Sequence, residues 1–476
     1  MTSPITSEVL NREARRAMRC PPPLDAKFTP AELWTRAYER RVAEAGGREV
    51  VVALEREGGA RDVARRRMLP DRPEFAEINR RYFERWVKFL LWQCGGTRVA
   101  IAGAPELAAE MSRVYAPSGA RAFDHDIFSH GIYREPLTFA AAPANEIPEP
   151  REAGRPLGRH LDGCRVGFDL GGSDRKSAAL VDGEVVFSEE VPWSPYFEKD
   201  PEYHRAGVHD SIARAAAHLS RVDAIGGSAA GVYVNNEVRT GSLYRGVSPE
   251  DFERHIRRMF IEERRRWNDV PLEVVNDGEV AALAGSMALG VSPILGFSLG
   301  TSTAAGYVRP DGALTTRLNE LAFVPVDFRA DAPADEWSGD RGCGVQYFSQ
   351  QAVGRLLAPA GLALPSEMPL PEKLAETQRR LAAGDPGARR VFETVGVYLG
   401  YTLAWFARFY DLSHMLLLGR VTSGEGGTLI ADGARAVLRA EFPQLAERCA
   451  LHMPDERLKR HGQAIAAASL PEISKR

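Results

Sequence analysis

The residues best suited to chemistry lie in a short glycine turn that occurs twice. Gly167-Phe168-Asp169-Leu170-Gly171-Gly172-Ser173 precedes the apolar run Ser177 to Val181, and Gly296-Phe297-Ser298-Leu299-Gly300-Thr301-Ser302 precedes Thr303 to Val308. Each copy reads as a strand, a tight glycine-hydroxyl turn and a returning strand. Turns of this kind present successive backbone N–H groups, which together cradle phosphate oxygens. Glycine allows the close approach and the positive φ such turns use. The copies differ where the first has Asp169 and the second Ser298. A carboxylate at one turn can hold a divalent ion, through water in the case of Mg²⁺. The other turn supplies only N–H and hydroxyl groups. A single copy reads equally well as an ordinary hairpin. The near-repeat favours two turns facing each other across a nucleotide triphosphate.

Asp277 is the candidate proton acceptor. It follows the strand Leu272 to Val275 and precedes a helix from Glu279 to Met287, a position from which side chains reach the crevice at a sheet edge. Phosphoryl transfer to an alcohol needs a group to take the hydroxyl proton, and a carboxylate serves. An aspartate before a helix is also a routine N-cap; the surrounding segments tip the reading to the base. The run Gly419 to Gly427 lies between a strand and a helix and suits close packing of a flat base and ribose. Three other clusters are set aside. Asp124-His125-Asp126 with His130 has no second half of a metal site and reads as surface acids and histidines. His204 and His209 do not share a helix face. Arg264-Arg265-Arg266 reads as a solvated helix face.

The elements that must position these residues follow from the whole chain. Its 476 residues exceed one typical core and call for two or three domains. The net charge of −3 gives no drive toward nucleic acid or anionic membranes. The five cysteines are scattered without a C-x-x-C pair, so neither a disulfide framework nor a zinc ribbon is indicated. No apolar run is long enough for a membrane span, and the first residues lack the apolar segment of a signal peptide; the expected location is the cytoplasm. Residues 1–30 read as a polar arm. Residues 31–140 read as a small α/β module: a helix from Pro30 to Glu44, a hairpin across Gly58-Gly59, an amphipathic helix from Phe75 to Trp92, a strand and a helix. Residues 141–159, rich in Pro, Glu and Gly, read as a linker and the main domain boundary. Residues 160–476 alternate strands and helices, with a hairpin opening each half, which indicates α/β architecture with two related lobes. Asp251 to Trp267 is expected as one charged helix.

Together these segments resemble the ROK family of sugar kinases and repressors, within the actin-like ATPase superfamily, from roughly Cys164 to Leu470. The resemblance implies a ribonuclease H-like, two-lobed actin-like ATPase fold carrying an additional N-terminal α/β module. It implies ATP and Mg²⁺ as cofactors. Asp169 would anchor the metal, Gly171, Gly172, Ser173, Gly300, Thr301 and Ser302 would hold phosphates, and Gly419 and Gly424 would flank the adenosine. Asp277 would be the catalytic base, with Asn276 and Glu320 holding a sugar-like alcohol. The departures are as informative. Phe323 stands where the family has a zinc- and sugar-contacting histidine. In Ser338 to Val345 only Cys343 remains of the zinc cysteines, and Val345 replaces a sugar-binding glutamate. A structural zinc is therefore not expected, and the ligand should differ from a standard hexose, because a site built for hydroxyls discriminates against partners that leave its polar groups unpaired. The expected activity is ATP-dependent phosphorylation of a carbohydrate-like alcohol, with a catalytically silent ligand sensor as the alternative. The expected partner is a small molecule, with no nucleic acid and no membrane. Residues 31–140 are left three uses: bracing the cleft, a homodimer contact, or an added substrate wall.

Overall fold

The computed structural model describes residues 5–152, 156–453 and 462–473. Met1 to Pro4 of the expected arm and Ala153 to Arg155 of the expected linker lie outside the described residues.

Three larger sheets organise the molecule. The N-terminal sheet joins β1 (Arg48–Glu55), β2 (Arg61–Met68), β3 (Arg98–Ala102) and β4 (Thr138–Ala141) in the order β2-β1-β3-β4. The first lobe holds β5 (Cys164–Leu170), β6 (Asp174–Val181), β7 (Glu184–Pro192) and β8 (Ala224–Ala229). A two-stranded ribbon of β9 (Val232–Val234) and β10 (Glu237–Thr240) follows, and then β11 (Leu272–Asn276). The lobe's order is β11-β8-β5-β6-β7, with β5, β6 and β7 antiparallel and β8 and β11 parallel to β5. The second lobe holds β12 (Ile294–Leu299), β13 (Thr303–Val308), β14 (His414–Leu418) and β15 (Ala450–His452), in the order β13-β12-β14-β15. There too a hairpin opens the sheet and the later strands run parallel to its first member. The two lobes therefore repeat one wiring, the mixed α/β architecture of two-lobed actin-like ATPases.

Small residues let the lobes come together. The helix Gly462–Ala468 lies on β5 and β8, where a Cβ on Gly167 or Gly226 would meet the carbonyls of Ala464 and Ala467. Likewise the helix Asp277–Leu289 rests on β13: a Cβ on Gly306 would strike the Gly278 carbonyl. Close backbone approach, rather than special dihedrals, requires glycine at these positions.

The N-terminal region does not form a core of its own. Trp34, Tyr82, Trp86 and Phe89 share one apolar cluster with Phe328, Tyr398, Trp405 and Phe406 of the second lobe. Within residues 1–30, expected as an arm, Ser7–Ala17 is a helix whose Leu10 and Ala14 are fully buried. Its many arginines hide that short apolar stripe. The segment after it straps the second lobe, and buried Asp25 accepts from Arg329, Arg355 and Tyr398. The expected single helix Asp251 to Trp267 is instead broken. Pro249–Asp251 leads into a wide turn, Phe252–Ile256, before Met259–Arg266. Arg257 N–H bonds back to the Phe252 carbonyl there, and its guanidinium reaches Glu237 and Glu253. Among the described residues no helix is long and apolar enough to cross a membrane.

Candidate active site

Strand register sets the first turn. Asp169 lies opposite Lys176 on β6 and beside Ser228 on β8. Its carboxylate is buried, accepts from the Ser228 hydroxyl at 2.6 Å and lies 3.8 Å from the Lys176 ammonium. Burial raises its pKa. The turn is closed by Gly171 N–H donating to the Asp174 carbonyl, and the Ser173 hydroxyl donates to the Asp174 carboxylate at 2.9 Å. Asp174 in turn accepts from Lys176 at 2.7 Å. These contacts, with Arg420 across the cleft, outweigh burial and hold its carboxyl below the usual range. The Tyr196 phenol covers Gly172, where a Cβ would lie 2.1 Å from the hydroxyl oxygen. Arg245 stacks over the Tyr196 ring at 4.3 Å.

The second turn is more open. Gly300 N–H donates to the Ser302 carbonyl, while Thr301 and Ser302 are exposed. Gly419, at φ 93°, passes Leu299 so closely that a Cβ would meet the Leu299 carbonyl oxygen at 2.4 Å. The end of β14 therefore lies directly beside this turn. Gly424, at φ 64°, immediately precedes the helix Glu425–Glu441.

Asp277 is the first residue of its helix, and the cap is its neighbour. Asn276 Oδ1 accepts from Gly278 N–H at 2.8 Å, and its Nδ2 donates to the Gly231 carbonyl at 2.7 Å. The Asp277 carboxylate is left with Gly278 N–H at 3.0 Å. Burial and the facing charge of Asp169 push its pKa up to about 6. A carboxylate so tuned is still ionised at neutral pH and is a better proton acceptor than a solvated one. Burial and the Asp277 charge also push half-buried Glu320 up to about 8. Asp169, Asp277 and Glu320 thus form a row, each felt by the next.

Beyond this row opens a cavity of about 520 Å³. Its walls come from three places: the turn Arg56 to Ala60 with Tyr133, the ribbon Gly231 to Asn236 with β11, and the stretch Leu314 to Glu320. Asn276 and Glu320 line it, together with Glu279, Arg56 and Arg317. Sequence reasoning passed over the last three. Glu279 sits one turn into the helix that Asp277 begins, which was a usable signal; no motif marked the arginines. Glu279 accepts from Asn319 Nδ2 at 2.6 Å and from Tyr307 N–H at 3.2 Å. Glu320 is held through its backbone. The helix Ala76–Cys94 ends on the cavity, and its Trp92, Gln93 and Cys94 carbonyls accept from the N–H groups of Glu320, Asn319 and Leu318.

The loop Ser338 to Val345 is fastened by charge. Lys88, fully buried, bonds Asp124 at 2.8 Å and also Asp340, which is shared with Arg121. Arg121 and Arg85 both hold Glu84. Trp92 Nε1 donates to Asp124, and Phe323 packs on Trp92 at 4.3 Å between ring centroids. Asp124, expected at the surface, is therefore interior. His130 does pair with Asp126 outside. Among the described residues no group of three or more His, Cys, Asp or Glu side chains could hold a metal.

No protein-family model matches the chain, and no curated protein matches it in sequence. Solved structures do match in fold. A ROK hexokinase from Thermus thermophilus aligns at a TM-score of 0.51 and 21% identity, over 64% of this chain and 96% of the hexokinase. A ROK family transcriptional regulator, a homologue of the E. coli MLC protein, aligns at a TM-score of 0.51 and 19% identity, over 65% of this chain and 79% of the regulator. At such identities the likeness is one of fold: both kinase and regulator are built on it.

Proposed function

We propose that the protein is an ATP-dependent phosphotransferase acting on a carbohydrate-like alcohol. The observation that carries this reading is the placement of Asp277. It follows Asn276, which lines the cavity with Glu320, and its carboxyl feels the charge of the buried Asp169 of the first glycine turn. Asp169 suits a water-bridged Mg²⁺: its carboxyl is buried and, among the described residues, engaged by the Ser228 hydroxyl and the Lys176 ammonium. ATP would supply the phosphoryl group, and Mg²⁺ would neutralise the charge that develops on it.

The chain's own residues do the rest. Thr301 and Ser302, both exposed, offer N–H and hydroxyl donors to the phosphates, with Gly172 and Ser173 opposite, while Gly300 and Gly171, whose N–H groups close the two turns, set the shape of the cradle. Gly419 and Gly424 border the place for the adenosine. Glu320 and the remaining valences of Asn276 orient the acceptor hydroxyl. As the acceptor oxygen bonds to the γ-phosphorus, the bridging oxygen leaves with ADP and the hydroxyl proton passes to Asp277. Fixing the two reactants in one orientation supplies much of the rate.

A second reading is a ligand sensor on the same fold. Tyr196 lying over Gly172, with Asp174 in the phosphate turn, favours it. The deciding experiment is phosphate transfer from Mg-ATP across a broad panel of sugars, sugar derivatives and polyols. Turnover that Asp277→Asn lowers by about 100- to 10,000-fold supports the kinase. Binding of ATP or sugars without any transfer supports the sensor.

A further inference from the structure

The cavity beside Asp277 carries a feature that a neutral sugar would not use. Arg56 and Arg317 both line it, and both bond a single carboxylate, Asp62. Arg317 reaches Asp62 Oδ1 through Nε at 2.9 Å and through a terminal nitrogen at 2.6 Å. Arg56 bonds the other oxygen, the Cys94 carbonyl at 3.0 Å and, weakly, the Thr316 hydroxyl at 3.4 Å. Two guanidiniums on one carboxylate leave a positive charge over. Arg56 is 5% exposed, and its Nε is buried without a hydrogen-bond partner. A buried charged donor left unpaired is costly.

The acid on the Arg56 turn is already paired, and burial pushes the carboxyls of Glu279 and Glu320 up to about 8, so neither carries a full charge at neutral pH. Glu57, on the same turn as Arg56, is taken by Arg239 at 2.9 Å and by Asn235 at 3.2 Å. Glu279 is engaged by Asn319 and the Tyr307 N–H. Glu320 and Asn276 also line the cavity, and their oxygens suit hydroxyls, which donate to carboxyl and amide oxygens. The cavity thus offers two kinds of group: Asn276 and Glu320, which suit hydroxyls, and Arg56 and Arg317, where the N-terminal turn meets the stretch Leu314 to Glu320.

We propose that the acceptor is a sugar or polyol bearing an anionic group, its hydroxyls toward Asn276 and Glu320 and its carboxylate or phosphate on Arg56 and Arg317. Guanidinium is suited to both anions, because its fixed fork of donors matches two oxygens at once. The N-terminal region supplies this selectivity, since Arg56 and Asp62 both belong to the hairpin β1–β2. The inference rests on reading the cavity as the acceptor site of the proposed transferase.

The test measures binding and transfer separately on the full chain. Calorimetry compares glucose with glucuronate and with glucose 6-phosphate, and gluconate with sorbitol, at low and high salt. The expected result is that at least one anionic member of a matched set binds ten times tighter than its neutral partner, with the advantage shrinking in salt. Glucuronate or gluconate alone points to a carboxylate, glucose 6-phosphate alone to a phosphate. Arg317→Met should abolish the advantage and Arg317→Lys keep part of it, with circular dichroism reporting the fold. Equal or tighter binding of the neutral partners overturns the inference, whatever the variants do. Phosphate transfer from Mg-ATP, assayed with the same compounds, separates the two readings. Transfer to neutral sugars alone leaves the transferase standing without the anionic acceptor. Anionic sugars that bind without receiving phosphate leave the ligand class standing without the transferase.

Discussion

Glu320 has no side-chain hydrogen bond among the described residues, yet it sits half-buried beside Asp277, which keeps its proton on to about 8. In the unfolded chain the same carboxyl releases its proton near its ordinary value. Between those two points the folded state holds the extra proton, so the stability this group allows is complete at low pH and is lost as pH rises toward 8. Glu320→Gln keeps the shape and removes the charge. Its melting temperature should match the wild type near pH 4 and exceed it increasingly up to pH 8. The gain there is up to about 5 kcal/mol, because each tenfold change in proton affinity on folding corresponds to roughly 1.4 kcal/mol. Thermal melts across that range check it, and a variant that loses ground as pH rises would contradict the raised value. The stabilised variant should also bind the acceptor less well. A group kept in an unfavourable setting beside the proposed acceptor cavity is what a binding residue, rather than a structural one, looks like.

Elements in this molecule meet through missing side chains and through charge. The helix that begins with Asp277 lies against β13 because Gly306 has no Cβ; one added there would sit 2.3 Å from the Gly278 carbonyl oxygen and 2.4 Å from Glu279 Cα. Backbone cannot yield as a flexible side chain can. Gly306→Ala should cost about 1–3 kcal/mol by overpacking. It should also lower kcat more than it raises the acceptor KM, since the helix start carrying Asp277 moves with it. Urea denaturation and steady-state kinetics together test this, and an unshifted kcat would mean that Asp277 does not act from this helix. The buried charges make a second case. Lys88 is flanked by Asp124 and Asp340, and Trp92 Nε1 also donates to Asp124. Lys88→Met leaves Asp124 without a cation, while Asp340 keeps Arg121, and breaking a buried pair from one side costs about 3–5 kcal/mol. Adding Asp124→Asn to it should recover part of that loss. A single variant as stable as the wild type in urea would show that the cluster does not hold the Ser338 to Val345 loop.

At the scale of the whole molecule, the two lobes were legible and their attachment was not. The repeated glycine hairpins disclosed the architecture, because tight turns and close backbone contacts demand glycine at fixed places. Asp169 and Asp277 could be singled out for the same reason, one adjoining such a turn and the other a strand end, whereas Glu320 was reached only through the family resemblance. Arg56 and Arg317 were not legible, since a shared ion pair between residues 56, 62 and 317 leaves no local pattern. Nor was the dependence of the second lobe on the N-terminal region. Amphipathic periodicity shows that Phe75 to Trp92 buries a face but not what the face meets. In the structure that helix packs Phe89 on Phe409 at 3.7 Å between ring centroids, and its last carbonyls hold Leu318, Asn319 and Glu320. Trp34 meets Phe328, and Phe28 meets Tyr398 and Tyr347. A chain beginning at residue 156 would uncover this aromatic surface, far more than the isolated apolar patches a soluble domain tolerates. It should be insoluble, or collapsed with strong dye binding and no cooperative melt. Co-expression of residues 1–152 as a separate chain should restore solubility, because the contacts between the two parts are non-covalent. A soluble, cooperatively folding 156–476 fragment would show instead that the N-terminal region is an appendage, and would remove it from the acceptor site as well.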